Sequence, residues 1–121
     1  MLDIDHFKRV NDIHGHQIGD QVLIEFSALL GEHVRSVDTL GRWGGEEFMI
    51  VCPGTDEEGI TGLASKLKAA IENHSFSTVG QQTASFGATT IRVSDDIQQL
   101  ILRADKAMYR AKNEGRNRVV L

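Results

Sequence analysis

Residues 44–48 read Gly-Gly-Glu-Glu-Phe, so two carboxylates directly follow a pair of glycines. Apolar, strand-like residues flank these five on both sides, and the glycine pair therefore predicts the turn of a β-hairpin over roughly residues 38–52. A ligand can approach the bare backbone of such a turn, and carboxylates beside it suit a divalent cation or a metal–phosphate complex. On these residues alone, an ordinary solvated hairpin explains the pattern equally well.

A second polar group, Asp3, Asp5 and Lys8, surrounds the start of the first predicted helix. In a strand Asp3 and Asp5 share one face, and Asp3 can project a carboxylate near the helix start, whose free N–H groups can hold a phosphate. Lys8 can add positive charge there. Taken alone, the stretch is better explained by Asp5 capping the helix and Lys8 lying in solvent.

The two groups become more informative together. A hairpin packed beside the first strand would bring Asp3 close to Glu46 and Glu47. Three converging carboxylates with no lysine or arginine between them repel one another unless a cation neutralises them. We therefore expect a divalent metal site, with Mg²⁺ as the leading candidate because it prefers oxygen ligands and a nucleotide's phosphates can complete its shell.

The elements that position these residues follow from the spacing of apolar side chains. The predicted order is β-α-α-β-β-α-β-α-β: a strand at 2–5, helices over 7–13 and 18–34, the hairpin, a helix containing 60–71, a strand over 82–92, a helix from about 94 to 115 and a strand at 119–121. This order predicts an α/β (α+β) fold with a mixed central β-sheet, one β-hairpin and surrounding helices.

Size and charge restrict the function. The 121 residues predict one domain, and 13 basic against 17 acidic residues give a net charge of −4, which argues against non-specific nucleic-acid binding. Cys52 is the single cysteine and is expected to be a small buried residue, so no disulfide forms within the chain. No apolar run approaches membrane-spanning length and no signal peptide is evident. We expect Trp43 to pack on the hairpin and Tyr109 to be half-buried.

Several short motifs occur in order along the whole chain: 3–8 (Asp-Ile-Asp-His-Phe-Lys), Asn11, 19–20 (Gly-Asp), 42–48 (Arg-Trp-Gly-Gly-Glu-Glu-Phe), 85–87 (Ser-Phe-Gly), 104–112 and 113–117. Together they resemble the catalytic domain of the GGDEF family, the diguanylate cyclases, whose fold is similar to nucleotidyl cyclase and polymerase palm domains. Glu46 replaces the aspartate of the family name and keeps its carboxylate. Because family members carry a helix and a turn motif before the first strand, the resemblance implies that residues 1–121 are one such domain lacking its N-terminal lead-in segment.

The resemblance implies an enzyme that condenses two GTP molecules into cyclic di-GMP and releases two pyrophosphates, as part of bacterial signal transduction. It implies Mg²⁺ as the metal, with Mn²⁺ as the second candidate, held by Asp3, the Ile4 carbonyl and Glu46. Glu47 would bind a metal or help deprotonate the ribose hydroxyl, and both roles stay open. Gly44 and Gly45 would leave room for the nucleotide across the hairpin.

The resemblance also implies a nucleotide-binding set. Asn11 and Asp20 match the positions that bind guanine, and the Asp20 carboxylate favours GTP over ATP because adenine lacks guanine's pair of donors. A favourable charge at a helix N-terminus is a fair alternative explanation for Asp20. Phosphate binding is implied for two further groups: the loop of His6, Phe7 and Lys8, mainly through backbone N–H groups, and the cations Lys112 and Arg116. For these two cations, complementing the helix dipole is the alternative.

Arg35 and Asp38 form an Arg-x-x-Asp sequence, with five residues between Asp38 and Gly44. Considered alone, a surface ion pair is the preferred explanation. The spacing, however, matches the family's inhibitory product site, in which an Arg fork grips the ligand and Asp38 accepts from guanine. Lys66 falls where the family often has a second arginine, so we expect weaker product inhibition.

The principal hypothesis is therefore a product-inhibited diguanylate cyclase, and the alternative is a non-catalytic receptor that senses cyclic di-GMP through Arg35 and Asp38. One domain binds one GTP, so catalysis would need a homodimer with two-fold symmetry. We expect a cytoplasmic location, or the cytoplasmic side of a membrane if the full-length protein is anchored, with no nucleic-acid partner, no membrane contact by this domain and an upstream sensor or membrane domain as an open option.

Overall fold

The computed structural model describes residues 1–121 as four helices and seven strands. In chain order these are β1 (Leu2–Ile4), α1 (Phe7–His14), α2 (His16–Gly31), β2 (Thr39–Gly44), β3 (Glu47–Val51), α3 (Glu57–Asn73), β4 (Ser75–Phe76), β5 (Gly80–Gln81), β6 (Ala84–Gly87), α4 (Ile97–Asn113) and β7 (Arg118–Val120). The predicted α+β class and the order of the main elements are confirmed.

The central sheet has five strands in the order β2-β3-β1-β6-β7. All neighbours are antiparallel except β6 and β7, which run parallel. The first strand is thus the middle of the sheet, with the hairpin on one side and the later strands on the other. Its register places Asp3 opposite Glu47 on β3 and opposite Ser85 on β6.

Helices cover both faces of this sheet. Leu2, Ile4 and Phe86 point into a core shared with α2 and α3, where the Phe26 and Phe48 rings lie 5.2 Å apart. The Asp3 side chain, between Leu2 and Ile4, points to the opposite face because strand side chains alternate, and Gly87 next to Phe86 also belongs to that face. That second face carries α4, which approaches the Gly87 backbone closely. The alternation therefore directs Asp3 toward α4.

Several boundaries differ from the predictions. The helix expected over 18–34 begins at His16 and ends at Gly31, and a short β4–β5 hairpin was not expected. The strand expected over 82–92 is limited to β6, because Arg103 binds the Thr89 hydroxyl at 2.9 Å and the Thr90 carbonyl at 2.8 Å and so draws this segment onto α4. Asp56 caps α3 and Asp96 caps α4, because each carboxylate accepts from a backbone N–H group in the first turn of its helix.

Three burial predictions were wrong. Trp43 is 52% exposed rather than packed on the hairpin, and Tyr109 is 64% exposed on the outer side of α4. Ile97, the first residue of α4, is 75% exposed. Cys52 is partly rather than fully buried. None of the four helices is both long and apolar enough to cross a lipid bilayer.

Candidate active site

The predicted hairpin turn exists and is braced by an arginine. β2 and β3 pair in register from Thr39 opposite Val51 to Arg42 opposite Phe48, and an irregularity at Trp43 then leads into the turn. Gly45 adopts a φ of 41°, a conformation that a side chain disfavours. The Arg42 guanidinium donates to the Gly45 carbonyl at 2.7 Å. Arg42 was absent from the predicted site residues, although its place immediately before the turn was the available signal.

Asp3 lies beside this turn, as predicted. It faces Glu47 across the β1–β3 ladder, and the Ile4 N–H donates to the Glu46 carbonyl at 3.4 Å. Asp3 is only 3% exposed. Burial raises the pKa of the Asp3 carboxyl from 3.8 to about 6; the Lys112 hydrogen bond opposes this rise, and the negative charges of Glu46 and Glu47 add to it. The raised pKa therefore reflects mainly the burial of the Asp3 carboxyl, with a smaller contribution from the two neighbouring glutamates.

The expectation that no lysine or arginine lies among these carboxylates was wrong. Lys112, in the last turn of α4, forms a hydrogen-bonded ion pair with Asp3 Oδ2. Its ammonium supplies part of the positive charge that the carboxylates require. No three His, Cys, Asp or Glu side chains come close enough together to hold a metal ion in this arrangement.

The chemistry of the site nevertheless fits a hard divalent cation. Asp3, Glu46 and Glu47 offer only oxygen donors, and neither glutamate is engaged in an ion pair. The raised pKa of Asp3 indicates that its charged form lacks full compensation. Metal ligation by Asp3, the Ile4 carbonyl, Glu46 and Glu47 stays a prediction.

A polar cavity of about 350 Å³ opens between the first two helices and the hairpin. Four predicted nucleotide-binding residues line it: Phe7, Lys8, Asn11 and Asp20. Gly45 and Glu46 of the hairpin also line it, together with three residues that were not predicted, His16, Leu23 and Arg42. The helices meet tightly at its base, where a Cβ on Gly19 would lie 1.9 Å from Asn11 Oδ1. The predicted guanine-binding residues Asn11 and Asp20 therefore line the same cavity as Glu46 of the hairpin. A larger apolar cleft of about 820 Å³ contains none of the predicted site residues.

The predicted phosphate-binding residues lie in two segments, one at the start of α1 and one at and after the end of α4. His6 adopts a left-handed conformation with a φ of 57° and starts α1 without a side-chain cap. Arg116 is exposed on the loop after α4, with a φ of 64°, and its guanidinium makes no hydrogen bond within the chain. Lys112 is engaged by Asp3 rather than being free for a ligand.

Asp5 does not cap α1. It is 5% exposed and accepts hydrogen bonds from the Thr83 and Ser85 hydroxyls, each at 2.6 Å, and from the Asn117 N–H at 3.0 Å. The sequence offered no signal for this arrangement, because all three donors come from residues 78 or more positions away.

Arg35 and Asp38 form the ion pair that the sequence suggested. The Arg35 NH2 group lies 2.9 Å from Asp38 Oδ1, and it also donates to the Pro53 carbonyl and the Thr55 hydroxyl at 2.9 Å each. The Arg35 guanidinium lowers the pKa of the Asp38 carboxyl. Lys66 is exposed on α3. Product binding by these three residues stays a prediction.

Comparison with known proteins agrees with this arrangement. The family model described as "Diguanylate cyclase, GGDEF domain" matches residues 1–118. The diguanylate cyclase DgcM of Escherichia coli (strain K12) is 38% identical over 120 residues, covering 99% of this chain and 29% of that protein. The response regulator PleD of Caulobacter vibrioides (strain NA1000 / CB15N) is 38% identical over 126 residues, covering 99% of this chain and 28% of its own length.

Solved structures give the same result. The GGDEF domain of DgcB from Caulobacter crescentus, in complex with c-di-GMP, matches with a TM-score of 0.93 and 31% identity, covering 98% of this chain and 73% of that chain. The active GGEEF domain of a diguanylate cyclase from Vibrio cholerae matches with a TM-score of 0.90 and 35% identity, covering 98% of this chain and 78% of that chain.

The mixed sheet and the acidic hairpin turn define a GGDEF-type α+β domain. The chain belongs to the GGDEF family of diguanylate cyclase domains. It spans less than a third of the curated relatives named above. Diguanylate cyclases of this family generally depend on a divalent metal ion.

Proposed function

We propose that this domain is a diguanylate cyclase that condenses two molecules of GTP into cyclic di-GMP and releases two pyrophosphates. The observation that carries the proposal is the polar cavity, which brings Asn11 and Asp20 to the same space as Glu46. A guanine base held at the helix end and a triphosphate directed toward the hairpin would use both ends of this cavity. Relatives that are named diguanylate cyclases, and that match nearly the whole of this chain, support the same activity.

In this proposal Asn11 and Asp20 bind the guanine base, and the carboxylate of Asp20 selects guanine by accepting from its two donors. Lys8, Arg116 and the backbone of residues 6–8 orient the phosphates, and Lys112 contributes a further cation. Gly44 and Gly45 keep the turn free of side chains, while Arg42 holds its shape through the Gly45 carbonyl. These contacts would set the ribose and the α-phosphate for an in-line reaction.

Asp3, the Ile4 carbonyl, Glu46 and Glu47 are the residues that would hold Mg²⁺, with Mn²⁺ as the second candidate. The bound cation would supply charge stabilisation at the phosphates and lower the pKa of the ribose hydroxyl. In each half-reaction the 3′-oxygen of one GTP bonds to the α-phosphorus of the other, the bond to the bridging oxygen breaks and pyrophosphate leaves. Glu47 accepts the hydroxyl proton or stays a metal ligand, and the Mg²⁺ affinity of an E47Q variant, measured by calorimetry without turnover, distinguishes these roles.

Because one cavity accommodates one nucleotide, the reaction needs two domains face to face, and we propose a symmetric homodimer as the working form. We also propose a cytoplasmic location, because the proposed substrate GTP is available there. Arg35, Asp38 and Lys66 would form the inhibitory product site.

The test is incubation of the purified protein with GTP and Mg²⁺, followed by measurement of pyrophosphate and cyclic dinucleotide. We expect cyclic di-GMP from GTP, no cyclic product from ATP, and no product from E47Q. A D20A variant should lose preference for GTP over ATP without losing the metal requirement. Absence of any cyclic product from the folded wild-type protein would refute the proposal.

The second candidate is a receptor for cyclic di-GMP. The comparisons do not favour it over the enzyme, and it rests on the Arg35–Asp38 pair together with structural relatives described as complexes with c-di-GMP. Cyclic di-GMP binding that R35A abolishes, in a protein without turnover, would support the receptor over the enzyme.

A further inference from the structure

Asp5 is a buried carboxylate that the proposed reaction does not use. Its Oδ1 accepts from Ser85 Oγ, and its Oδ2 accepts from Thr83 Oγ1 and from the Asn117 backbone N–H. No lysine, arginine or histidine forms an ion pair with it. A buried carboxylate is expensive to maintain, so this one must stabilise an arrangement that neutral side chains would not.

The arrangement that depends on Asp5 is the loop after α4. Gly115, Arg116 and Asn117 have consecutive positive φ angles of 120°, 64° and 46°. The two non-glycine residues disfavour this conformation, which persists only where neighbouring contacts enforce it. Two contacts do so at Asn117: its N–H donates to Asp5, and its side-chain amide donates to Glu72 on α3. The Asn117 Oδ1 atom is buried without a hydrogen-bond partner, so burying this side chain costs free energy that the two contacts must offset.

This loop carries Arg116, whose exposed guanidinium has no partner within the chain. Asp5 is two residues beyond Asp3 and projects from the same side of β1. One carboxylate therefore ties the strand bearing the predicted metal ligand to the loop bearing the predicted phosphate ligand.

We propose that Asp5 is a positioning residue for nucleotide binding: by accepting from the Asn117 N–H it fixes the left-handed 115–117 loop and directs Arg116 toward the triphosphate. The inference rests on the proposed function, in which Arg116 binds a terminal phosphate. Asp5 itself touches neither substrate nor metal. Its effect passes through the loop backbone.

The contacts predict which substitution preserves the role. In Asp5→Asn the amide oxygen can still accept from the Asn117 N–H, while the amide nitrogen can donate to the Ser85 hydroxyl, which is able to accept. Asp5→Ala removes all three contacts. Ser85→Ala is the matched control, because it removes one buried hydrogen bond to the same carboxylate and leaves the loop contact intact.

The experiment compares KM for GTP and kcat in wild type, D5A, D5N, S85A, R116A and the D5A/R116A double variant. We expect D5A to raise KM at least about fivefold, and D5N and S85A to stay within about twofold of wild type. In the R116A background, D5A should change KM by less than about twofold, because the contact that it positions is already absent. Amide hydrogen exchange at Asn117 should accelerate about tenfold or more in D5A but not in S85A.

Wild-type turnover with an unchanged KM in D5A, or equal effects of D5A with and without Arg116, would overturn the inference and leave the proposed function standing. A folded wild type that neither binds nor converts GTP would instead overturn the proposed function. In that case binding of inorganic triphosphate, compared among wild type, D5A and R116A, decides whether Asp5 positions Arg116. If D5A fails to fold, D5S replaces it, since a serine is too short to span from Ser85 to the loop amide.

Discussion

The Lys112 ammonium donates a hydrogen bond to Asp3 Oδ2 and so joins the last turn of α4 to the central strand across 109 positions of sequence. The lysine contributes positive charge at a site where Glu46 and Glu47 also raise the pKa of Asp3. An internal cation at this position competes with any external cation for the same carboxylate oxygen.

The Lys112→Met variant tests this competition. We expect it to bind Mg²⁺ about fivefold more tightly than wild type in the absence of nucleotide, because a repelling charge has been removed. Its KM for GTP should nevertheless rise by about fivefold or more, because the same ammonium is proposed to contact phosphate. Calorimetry with Mg²⁺ alone and steady-state kinetics measure the two effects separately. Lys106→Met, an exposed position on α4 without an ion pair, is the matched control and should change neither.

The raised pKa of Asp3 predicts how stability depends on pH in the metal-free protein. The folded-state pKa of about 6 exceeds the ordinary value of 3.8, so the folded protein binds this proton more tightly than the unfolded chain does. The contribution of Asp3 to the free energy of unfolding is therefore fully present below about pH 4 and is lost as the pH rises through 6. At pH 7.5, Asp3→Asn should be more stable than wild type by about 1 kcal/mol in EDTA, after allowance for solvent screening.

The same comparison at low pH provides the control. Urea unfolding at pH 4 should show a smaller difference between Asp3→Asn and wild type, because Asp3 is then protonated in the folded state. A constant difference from pH 4 to pH 7.5 would contradict the assignment of the raised pKa to Asp3.

Gly19 lies against Asn11, which we propose to bind guanine, so a larger residue at position 19 should disturb nucleotide binding. A Cβ at this position would lie 1.9 Å from Asn11 Oδ1 and 3.3 Å from Phe7 Cζ. Gly19→Ala should therefore displace the Asn11 side chain and raise KM for GTP about tenfold, with a modest loss of stability. Gly31→Ala in the same helix is the control, since nothing lies within 4 Å of its added carbon. Equal KM values for the two variants would show that Asn11 does not contact the nucleotide.

The close packing of Gly87 against α4 leads to a prediction about the stability of the fold rather than about nucleotide binding. A Cβ there would lie 2.2 Å from the Ala104 carbonyl oxygen and 2.3 Å from the Met108 nitrogen, and both atoms belong to the backbone of α4. Gly87→Ala should lower the free energy of unfolding by about 3 kcal/mol, because the helix must move away from the sheet.

Gly62→Ala in α3 supplies the contrast, since its added carbon meets nothing within 4 Å. It should raise the free energy of unfolding by about 0.5–1 kcal/mol through helix propensity. Denaturant unfolding of the two variants, at matched pH and ionic strength, measures the expected decrease for Gly87→Ala and the expected increase for Gly62→Ala in the free energy of unfolding.

The sequence predicted the parts of the site that depend on local pattern. The glycine pair and the flanking apolar runs indicated the hairpin, and the adjacency of β1 and β3 then brought Asp3 opposite Glu47.

Contacts between distant residues could not be predicted in the same way. The Lys112–Asp3 pair and the Asn117–Asp5 hydrogen bond join residues 109 and 112 positions apart, and both depend on the parallel pairing of β6 with β7. The early end of β6 follows from Arg103, whose side chain reaches back 13 and 14 positions to Thr90 and Thr89. The spacing of apolar residues predicts helices and strands, but it does not predict which distant side chains will contact one another.

The central place of β1 also has a consequence for synthesis on the ribosome. This strand emerges before both of its sheet neighbours, and Asp3 must wait until residue 112 has been made before its ion-pair partner in the folded domain exists. The acidic centre therefore begins with the first residues to leave the ribosome and is completed by residues near the end of the domain. A nascent chain that has displayed the glycine-rich bend for dozens of codons still lacks a competent centre until α4 has left the exit tunnel.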